Sequence, residues 1–357
     1  MIEKYMVRAL ELAALGRGNV SPNPMVGCVI VHEDTIIGEG WHRRYGDWHA
    51  EVNAVNDAIA RGNEHFLPES TVYVTLEPCS HFGKTPPCAD LLVEKRVKKV
   101  VICNDDPNPL VAGKGIQKLR EAGIEVINGI LVEEGRRLNA RFFTFFEQKR
   151  PYILLKWAET ADGFIADEDK QPLSISCLQS RVLSHQWRSE EDAILVGTNT
   201  ALHDNPQLNT RLWEGPHPTR IIIDRTLRLP QDLHLFDNSQ KTLCYNAFKN
   251  EEQGNTTFVQ IDFDENFLKH LLTDLYQRKI QSVIVEGGTL ILQTFLNEGI
   301  FDEIHIFKNA KAIQKGTAAP LLPTGVRLVN QTSIGGDWLS SYRQSSPQLS
   351  YPLPWRH

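Results

Sequence analysis

The run Thr71-Val72-Tyr73-Val74-Thr75-Leu76-Glu77-Pro78-Cys79-Ser80-His81-Phe82-Gly83-Lys84-Thr85-Pro86-Pro87-Cys88 passes from a strand into a loop and then into a helix, with a cysteine at each end of the loop. Thr71 to Leu76 is β-branched and aromatic, which predicts a strand. Pro78-Cys79 then sits at that strand's end, and Pro86-Pro87 opens the helix that carries Cys88. Upstream, His49-Ala50-Glu51 opens a helix expected over about His49 to Arg61, with His49 in its first turn. A neutral imidazole and two thiolates fill three corners of a tetrahedral Zn²⁺ site, so the fourth corner can hold a water whose pKa the metal lowers toward neutrality. Glu51, too close in sequence to His49 to be an ordinary fourth ligand, is placed to take that water's proton and give it to a leaving ammonia. The chemistry this suggests is hydrolytic deamination of an amino-substituted ring. The bland reading is a closed structural zinc site, or an amphipathic helix with two buried cysteines. A structural site needs a fourth Cys or His at ligand spacing, and none accompanies these three. The H-x-E and P-C-x-x-C signature of zinc nucleobase deaminases matches in order and residue type. The gap between the cysteines departs from it, with eight residues, Ser80 to Pro87, where the signature has two. A wider loop keeps the site and enlarges the region beside the pocket.

A length of 357 residues predicts two domains. No apolar run approaches the ~18 residues of a membrane span. The opening Met-Ile-Glu-Lys-Tyr-Met-Val-Arg has early acidic residues and no small-residue cleavage site, so a cytoplasmic enzyme is expected. Six cysteines, at 28, 79, 88, 103, 177 and 244, are too sparse for a disulfide scaffold. A formal charge of −6 gives no global attraction for a polyanion, which disfavours a nucleic-acid substrate and leaves a local basic groove open.

Periodicity divides the chain into two α/β halves. The first has a helix from Met1 to about Gly16, a hairpin of Met25 to Val31 and Thr35 to Trp41, and the helix–strand units around the cysteines. Strand Lys99 to Cys103, helix Gly113 to Ala122, strand Ile124 to Ile127 and one helix near Val132 to Gln148 complete it. The alternation argues for a layered sheet with helices on both faces. The pattern resets at Lys149-Arg150-Pro151, giving domains 1–148 and 149–357. In the second, helices at Leu178 to Arg188, Glu265 to Lys279 and Thr289 to Asn297 alternate with strands at Tyr152 to Lys156, Ala193 to Gly197, Arg220 to Asp224, Thr242 to Tyr245, Thr257 to Ile261, Ser282 to Glu286 and Glu303 to Phe307. The junction Glu286-Gly287-Gly288-Thr289 lets backbone N–H groups at a helix start approach a phosphate, or is a tight turn only. Residues from about Gly335 to His357 read as a surface tail.

Several motifs together resemble the RibD family of bifunctional riboflavin-biosynthesis proteins. They are Pro22-Asn23-Pro24-Met25-Val26-Gly27, His49-Ala50-Glu51, the cysteine loop with its Thr85-Pro86-Pro87-Cys88, and Asp106-Pro107-Asn108-Pro109. In the second half they are Asp162-Gly163, Ala193-Ile194-Leu195-Val196-Gly197, Asp204-Asn205-Pro206 with Leu208 and Arg211, and Val285-Glu286-Gly287-Gly288. The resemblance implies an N-terminal cytidine-deaminase-like three-layer α/β/α domain and a C-terminal dihydrofolate-reductase-like α/β domain, paired as a homodimer through the reductase half. It implies zinc-dependent deamination of 2,5-diamino-6-(5-phosphoribosylamino)pyrimidin-4(3H)-one by the first domain, with His49, Cys79 and Cys88 on zinc and Glu51 as proton shuttle. It implies NADPH-dependent reduction of the ribosyl to a ribityl chain by the second. Ala158, Thr200, Asp204 and the run Gly288, Thr289, Leu290, Ile291, Leu292, Gln293 and Thr294 fall at NADP-contacting positions. Arg188, Leu208, Arg211 and Glu286 fall at substrate positions, and arginine forks suit a phosphate monoester. In one place the chain departs from the pattern: Ser174 stands where a tryptophan is expected against the cofactor, and Pro172 where a substrate-side serine is expected.

Asn23 reads equally as a substrate-ring partner and as a turn residue. His81 and Lys84 either reach substrate or cap their loop, and His42 reads as a satisfied rim histidine. A nucleic-acid editing deaminase would share the zinc ligands but needs a basic, aromatic-lined channel. A zinc-stabilised binding protein whose catalysis has lapsed would also keep the ligands, and intact Glu51 weighs against it. A deaminase with a degraded reductase half would differ only in the second domain.

Overall fold

A computed structural model of the chain describes residues 2–80, 86–109, 111–169 and 173–345. His81, Lys84 and Pro172 lie outside the described residues, as do positions 346–357 of the expected tail. The chain forms two compact units, Met1–Arg150 and Pro151–His357. The break falls two residues beyond the one expected because the last helix of unit 1 runs to Gln148, Lys149 turns at φ 55° and Pro151 leads into the next strand.

Unit 1 runs α1 Ile2–Ala14, β1 Gly27–His32, β2 Thr35–Trp41, α2 Ala50–Ala60, β3 Thr71–Leu76, α3 Cys88–Glu94, β4 Lys99–Asn104, α4 Lys114–Glu121, β5 Glu125–Asn128, α5 Val132–Leu138 and α6 Ala140–Gln148. Its five strands order as β2-β1-β3-β4-β5. β1 and β2 are the expected hairpin, closed by Glu33 and Asp34 at φ 45° and 63°, the left-handed pair that matches strand twist. Both faces of β1 are apolar, as a sheet covered on two sides requires. Cys28 and Ile30 face α2, α3 and α4, whereas Val29 and Val31 pack with Tyr5, Met6 and Ala9 of α1. α2 presents Ala50, Ala54 and Ala58 to β2, where a Cβ on Gly38 would lie 2.4 Å from the Ala54 carbonyl and one on Gly40 2.5 Å from the Ala50 carbonyl. That close approach places the start of α2 beside the end of β2.

The single helix expected over Val132 to Gln148 is two helices. Asn139, at φ −102° and ψ 29°, breaks it, because its side chain is turned inward to accept the Met25 N–H and donate to the Met25 carbonyl, both at 2.8 Å. A tertiary contact outweighs helical propensity here.

Unit 2 runs β6 Tyr152–Glu159, β7 Phe164–Asp167, α7 Leu178–Glu190, β8 Ala193–Gly197, α8 Thr198–Asp204, β9 Thr219–Ile223, β10 Thr242–Asn246, β11 Glu251–Gln253, β12 Thr256–Gln260, α9 Phe267–Gln277, β13 Ser282–Gly287, α10 Thr289–Asn297, β14 Glu303–Asn309, β15 Gly316–Ala318, β16 Val326–Ile334 and β17 Asp337–Gln344. Ten strands order as β11-β12-β10-β9-β8-β13-β6-β14-β17-β16, and β7 pairs with β15 apart from them. From β12 to β14 the pairs are parallel. The strand interiors, such as Ile194, Ile221 and Ile284, are fully buried, as in a sheet sandwiched between helices.

The expected surface tail is corrected at its beginning. β16 and β17 form a hairpin across Gly335 and Gly336, at φ 57° and 112°, and β17 pairs with β14. Asp337 is wholly buried, accepting the Cys177 N–H at 2.9 Å and Asn309 Nδ2 at 2.6 Å. The Gly-Gly pair was a legible hairpin signal, but the polar character of Asp337, Ser340 and Ser341 hid the strand.

Candidate active sites

The first site lies where three chain segments end. His49 is the residue preceding α2, in extended geometry, rather than in the first turn. Cys79 follows β3 and Cys88 opens α3. His49 Nδ1 is 3.6 Å from Cys79 Sγ and 3.3 Å from Cys88 Sγ, and the three donor atoms lie within 4.8 Å of one another. Zinc bonds of ~2.0 Å to nitrogen and ~2.3 Å to sulfur at a tetrahedral angle put those atoms about 3.5 Å apart. The donor set and spacing therefore fit one zinc ion. The Cys88 thiol, His49 and the Cys88 N–H, at 3.3 Å, all favour charge on the Cys79 sulfur and draw its pKa down to about 4, against burial.

Glu51 is 3% exposed and touches the Cys88 sulfur. Burial raises its pKa above the ordinary 4.5 and the Cys79 charge adds to this, while His49 opposes it. A carboxyl whose charged form is disfavoured in this way holds a proton more readily than a solvated one, which suits a group that takes and returns a proton. Asn23 Nδ2 lies 3.2 Å from His42 Nε2, and His42 Nδ1 lies 3.1 Å from the Trp48 carbonyl. A carbonyl only accepts, so Nδ1 carries the proton and Nε2 accepts from the Asn23 amide. This fixes which way the Asn23 amide faces. His42 is satisfied as expected, but it is 3% exposed, inside the wall rather than on its rim.

Sequence reasoning missed Glu77. Its two oxygens accept N–H groups from Asp106, Gly113, Gly115 and Ile116 at 2.9 to 3.4 Å, which ties the Cys79 segment to the start of α4. A buried acid two residues before a ligand was the available signal. At Gly115 a Cβ would lie 1.9 Å from the Pro78 carbonyl. Gly115→Ala is accordingly expected to cost unit 1 ~1–3 kcal/mol through overpacking. Denaturant unfolding checks this, and an unshifted midpoint would mean that α4 moves away freely.

In unit 2 a cavity of about 930 Å³ opens over the carboxyl ends of β6, β13, β8 and β9. Ligands of open parallel sheets bind at such strand ends. Ala158, Thr200, Asp204 and every residue from Gly288 to Thr294 line it, as do Glu286 and Ser174. Gly287 is buried against Thr200, whose side chain a Cβ there would meet at 2.8 Å, and half-buried Gly288, at φ 73°, begins α10 on the cavity wall. Arg188 is not on the wall. It forms a two-pronged pair with Glu286, at 2.8 and 2.7 Å, and donates to the Asn209 carbonyl at 3.2 Å. Leu208 is buried at φ 50°, its carbonyl held by Gln240. Arg211 donates to Asn209 Oδ1, and its pKa is lowered by burial and by the Arg188 and Arg181 charges.

Lys156, Arg181 and His185 join this cluster without having been singled out from the sequence. Lys156 Nζ is 3.6 Å from Glu286, and burial lowers its pKa. A lone lysine inside the apolar strand Tyr152 to Trp157 was its signal. His185 is pushed down to about 4 by burial and the neighbouring arginines, and its Nδ1 is buried without a partner. Against burial, Arg188 and Lys156 hold Glu286 down at about 2.

A family model described as the cytidine and deoxycytidylate deaminase zinc-binding region matches residues 1–104, and one described as the RibD C-terminal domain matches 151–333. The riboflavin biosynthesis protein RibD of Actinobacillus pleuropneumoniae is 39% identical over 96% of this chain and 95% of its own. That of Aquifex aeolicus is 41% identical, over 92% of each. The chain belongs to the RibD family. Two solved structures agree over nearly the whole length. A diaminohydroxyphosphoribosylaminopyrimidine deaminase/5-amino-6-(5-phosphoribosylamino)uracil reductase of Thermotoga maritima is 38% identical with a TM-score of 0.86, covering 96% of this chain and 98% of that one. RibD of Acinetobacter baumannii is 33% identical with a TM-score of 0.87, covering 97% and 99%. As a RibD, the chain is a bifunctional enzyme of riboflavin biosynthesis, with a deaminase domain before a reductase domain. A deaminase acting on nucleic acid is not favoured. Among the described residues no helix is long and apolar enough to cross a membrane.

Proposed function

We propose that unit 1 deaminates 2,5-diamino-6-(5-phosphoribosylamino)pyrimidin-4(3H)-one, and that unit 2 reduces the ribosyl chain of the product with NADPH. In unit 1, His49 Nδ1 and the sulfurs of Cys79 and Cys88 hold zinc, which when bound supplies Lewis-acid activation of water. Glu51 takes a proton from the attacking water and delivers it to the departing amine nitrogen, so that water and amine become ring carbonyl and ammonia. Asn23, turned by His42, meets the ring edge. In unit 2 the backbone at Gly288, where α10 begins on the cavity wall, receives the dinucleotide's phosphates, with Ala158, Thr200 and Asp204 along its length. Arg181, Arg188 and Arg211 against one carboxylate leave a surplus of positive charge that suits the substrate's phosphate monoester. The open edge of β16, exposed from Arg327 to Gln331, supports a homodimer as part of this reading, to be checked by sedimentation.

The observation that carries the proposal is the meeting of His49, Cys79 and Cys88 at zinc spacing with Glu51 against them. A two-step assay on purified protein tests it. Ammonia release from the diamino substrate is expected first, and loss of NADPH absorbance only once deaminated product is present. Protein prepared without chelator that holds no zinc would overturn the first half, and unchanged absorbance with authentic deaminated product the second.

A further inference from the structure

Three successive carbonyls of unit 2 are gripped by side chains from three distant segments. The Gln207 carbonyl accepts from Arg220 Nε at 3.0 Å and Arg220 Nη2 at 2.8 Å. That of Leu208 accepts from Gln240 Nε2 at 3.1 Å, and that of Asn209 from Arg188 Nη1 at 3.2 Å. Leu208 is at φ 50°, a left-handed conformation that a leucine keeps only where its surroundings impose it. Asn209 Oδ1 then accepts from Arg211 Nη1 at 3.0 Å, and the buried Thr210 Oγ1 lies 2.7 Å from His217 Nδ1. The stretch from Gln207 to Arg211 has no helix or strand of its own, so these side chains set its shape. Arg220 and Gln240 are not on the cavity wall. Arg220 is 1% exposed, and it also donates to Asp237 at 2.8 Å and to Ser239 Oγ at 3.1 Å. Gln240 is buried, donates to the Pro218 carbonyl at 3.3 Å, and has an Oε1 with no partner among the described residues. Stability alone favours neither choice. A buried ion pair gains little over apolar residues of similar volume, and a buried amide oxygen without a donor is a cost. What both residues supply is a donor directed at one carbonyl.

Resting on the reductase reading above, we propose that Arg220 and Gln240 are positioning residues for the reductase substrate. From outside the cavity they fix the carbonyls of Gln207 and Leu208, and so set where Leu208 and Arg211 meet the phosphoribosyl group. Arg211 feels the charges of Arg188 and Arg181 and, left free, would turn away from them. Held through Asn209, it stays beside them. Cations brought together in advance bind a phosphate dianion without being ordered at that moment, which lowers the cost of binding.

Equilibrium binding tests this without relying on turnover. The full-length protein is titrated calorimetrically with the deaminated substrate and, separately, with NADPH, beside Arg220→Met, Arg220→Lys and Gln240→Met. Arg220→Met and Gln240→Met are expected to weaken substrate binding roughly 10- to 100-fold, with one site per chain kept and NADPH affinity unchanged. Arg220→Lys, which keeps one donor, should lose less. In turnover the loss should fall on KM for the deaminated substrate and not on kcat. Fewer binding sites at unchanged affinity, equal weakening of substrate and NADPH, unchanged substrate affinity, or no binding of substrate by the wild type would overturn the proposal. Gln240→Met leaves the Arg220 ion pair in place and decides the matter if Arg220→Met does not fold. A wild type that binds the deaminated substrate, loses that affinity in the variants and yet oxidises no NADPH would instead remove the reductase reading and leave the positioning role standing.

Discussion

Glu51→Gln is expected to lower ammonia release by roughly 10²- to 10⁴-fold while leaving zinc content and fold unchanged. Glutamine keeps the volume and a hydrogen bond at Cys88 but cannot carry a proton between water and amine. The wild-type carboxyl is almost wholly buried, and its pKa is raised first by that burial and then by the Cys79 charge. The fold therefore gains nothing from ionising it, and the substitution should leave the denaturant midpoint equal or higher, as at other sites where activity is kept at the expense of stability. Metal analysis, unfolding and the ammonia assay on one preparation check the three parts together. Full activity in the variant would remove Glu51 from proton transfer, and lost zinc would make it a ligand.

Arg188→Ala is expected to destabilise unit 2 by ~3–5 kcal/mol, because it strands a carboxylate whose side chain is only 9% exposed. The pH dependence gives the mechanism. In the wild type Glu286 is held at about 2 against an ordinary 4.5, so its contribution is complete above 4.5 and is lost as pH falls toward 2. Without Arg188, burial acts against Lys156 alone and the carboxyl takes up a proton at higher pH, so the variant's deficit should shrink as the solution is acidified below neutrality. Adding Glu286→Gln should recover much of the loss at pH 7, since a neutral amide removes the stranded charge. Denaturant midpoints across pH for the single and double variants check this. A deficit independent of pH would assign the effect to lost packing. Deamination by unit 1 is expected to continue in the same protein while reduction fails, which separates the two activities.

Much of the first site could be read from spacing alone. The ligand types, their order and Glu51 are chemical facts of the chain, and the strands that deliver them alternate or run apolar in ways that local sterics enforce, as Thr71 to Leu76 and Ala193 to Gly197 do. Hairpin and helix ends followed Gly, Pro and Asp for the same local reasons. The misread elements were those whose conformation is set from far away in the sequence. Asn139 leaves a helical pattern because Met25, 114 residues earlier, offers its backbone. β17 is a strand because Asp337 is claimed by Cys177, 160 residues away, and by Asn309.

The sequence by itself determined the residue types, order and spacing of a histidine, a glutamate and two cysteines that a metal-dependent hydrolytic centre would use, and that two α/β units would follow one another. Folding decided the rest: that Glu77 would tie the segment before Cys79 to the start of α4, and that Lys156 and Arg188 would share Glu286. Residue type and near-neighbour spacing express covalent geometry and backbone sterics, which act over a few positions. The charge and solvation of a side chain depend on which distant segments pack around it, and only the assembled sheet brings those segments together.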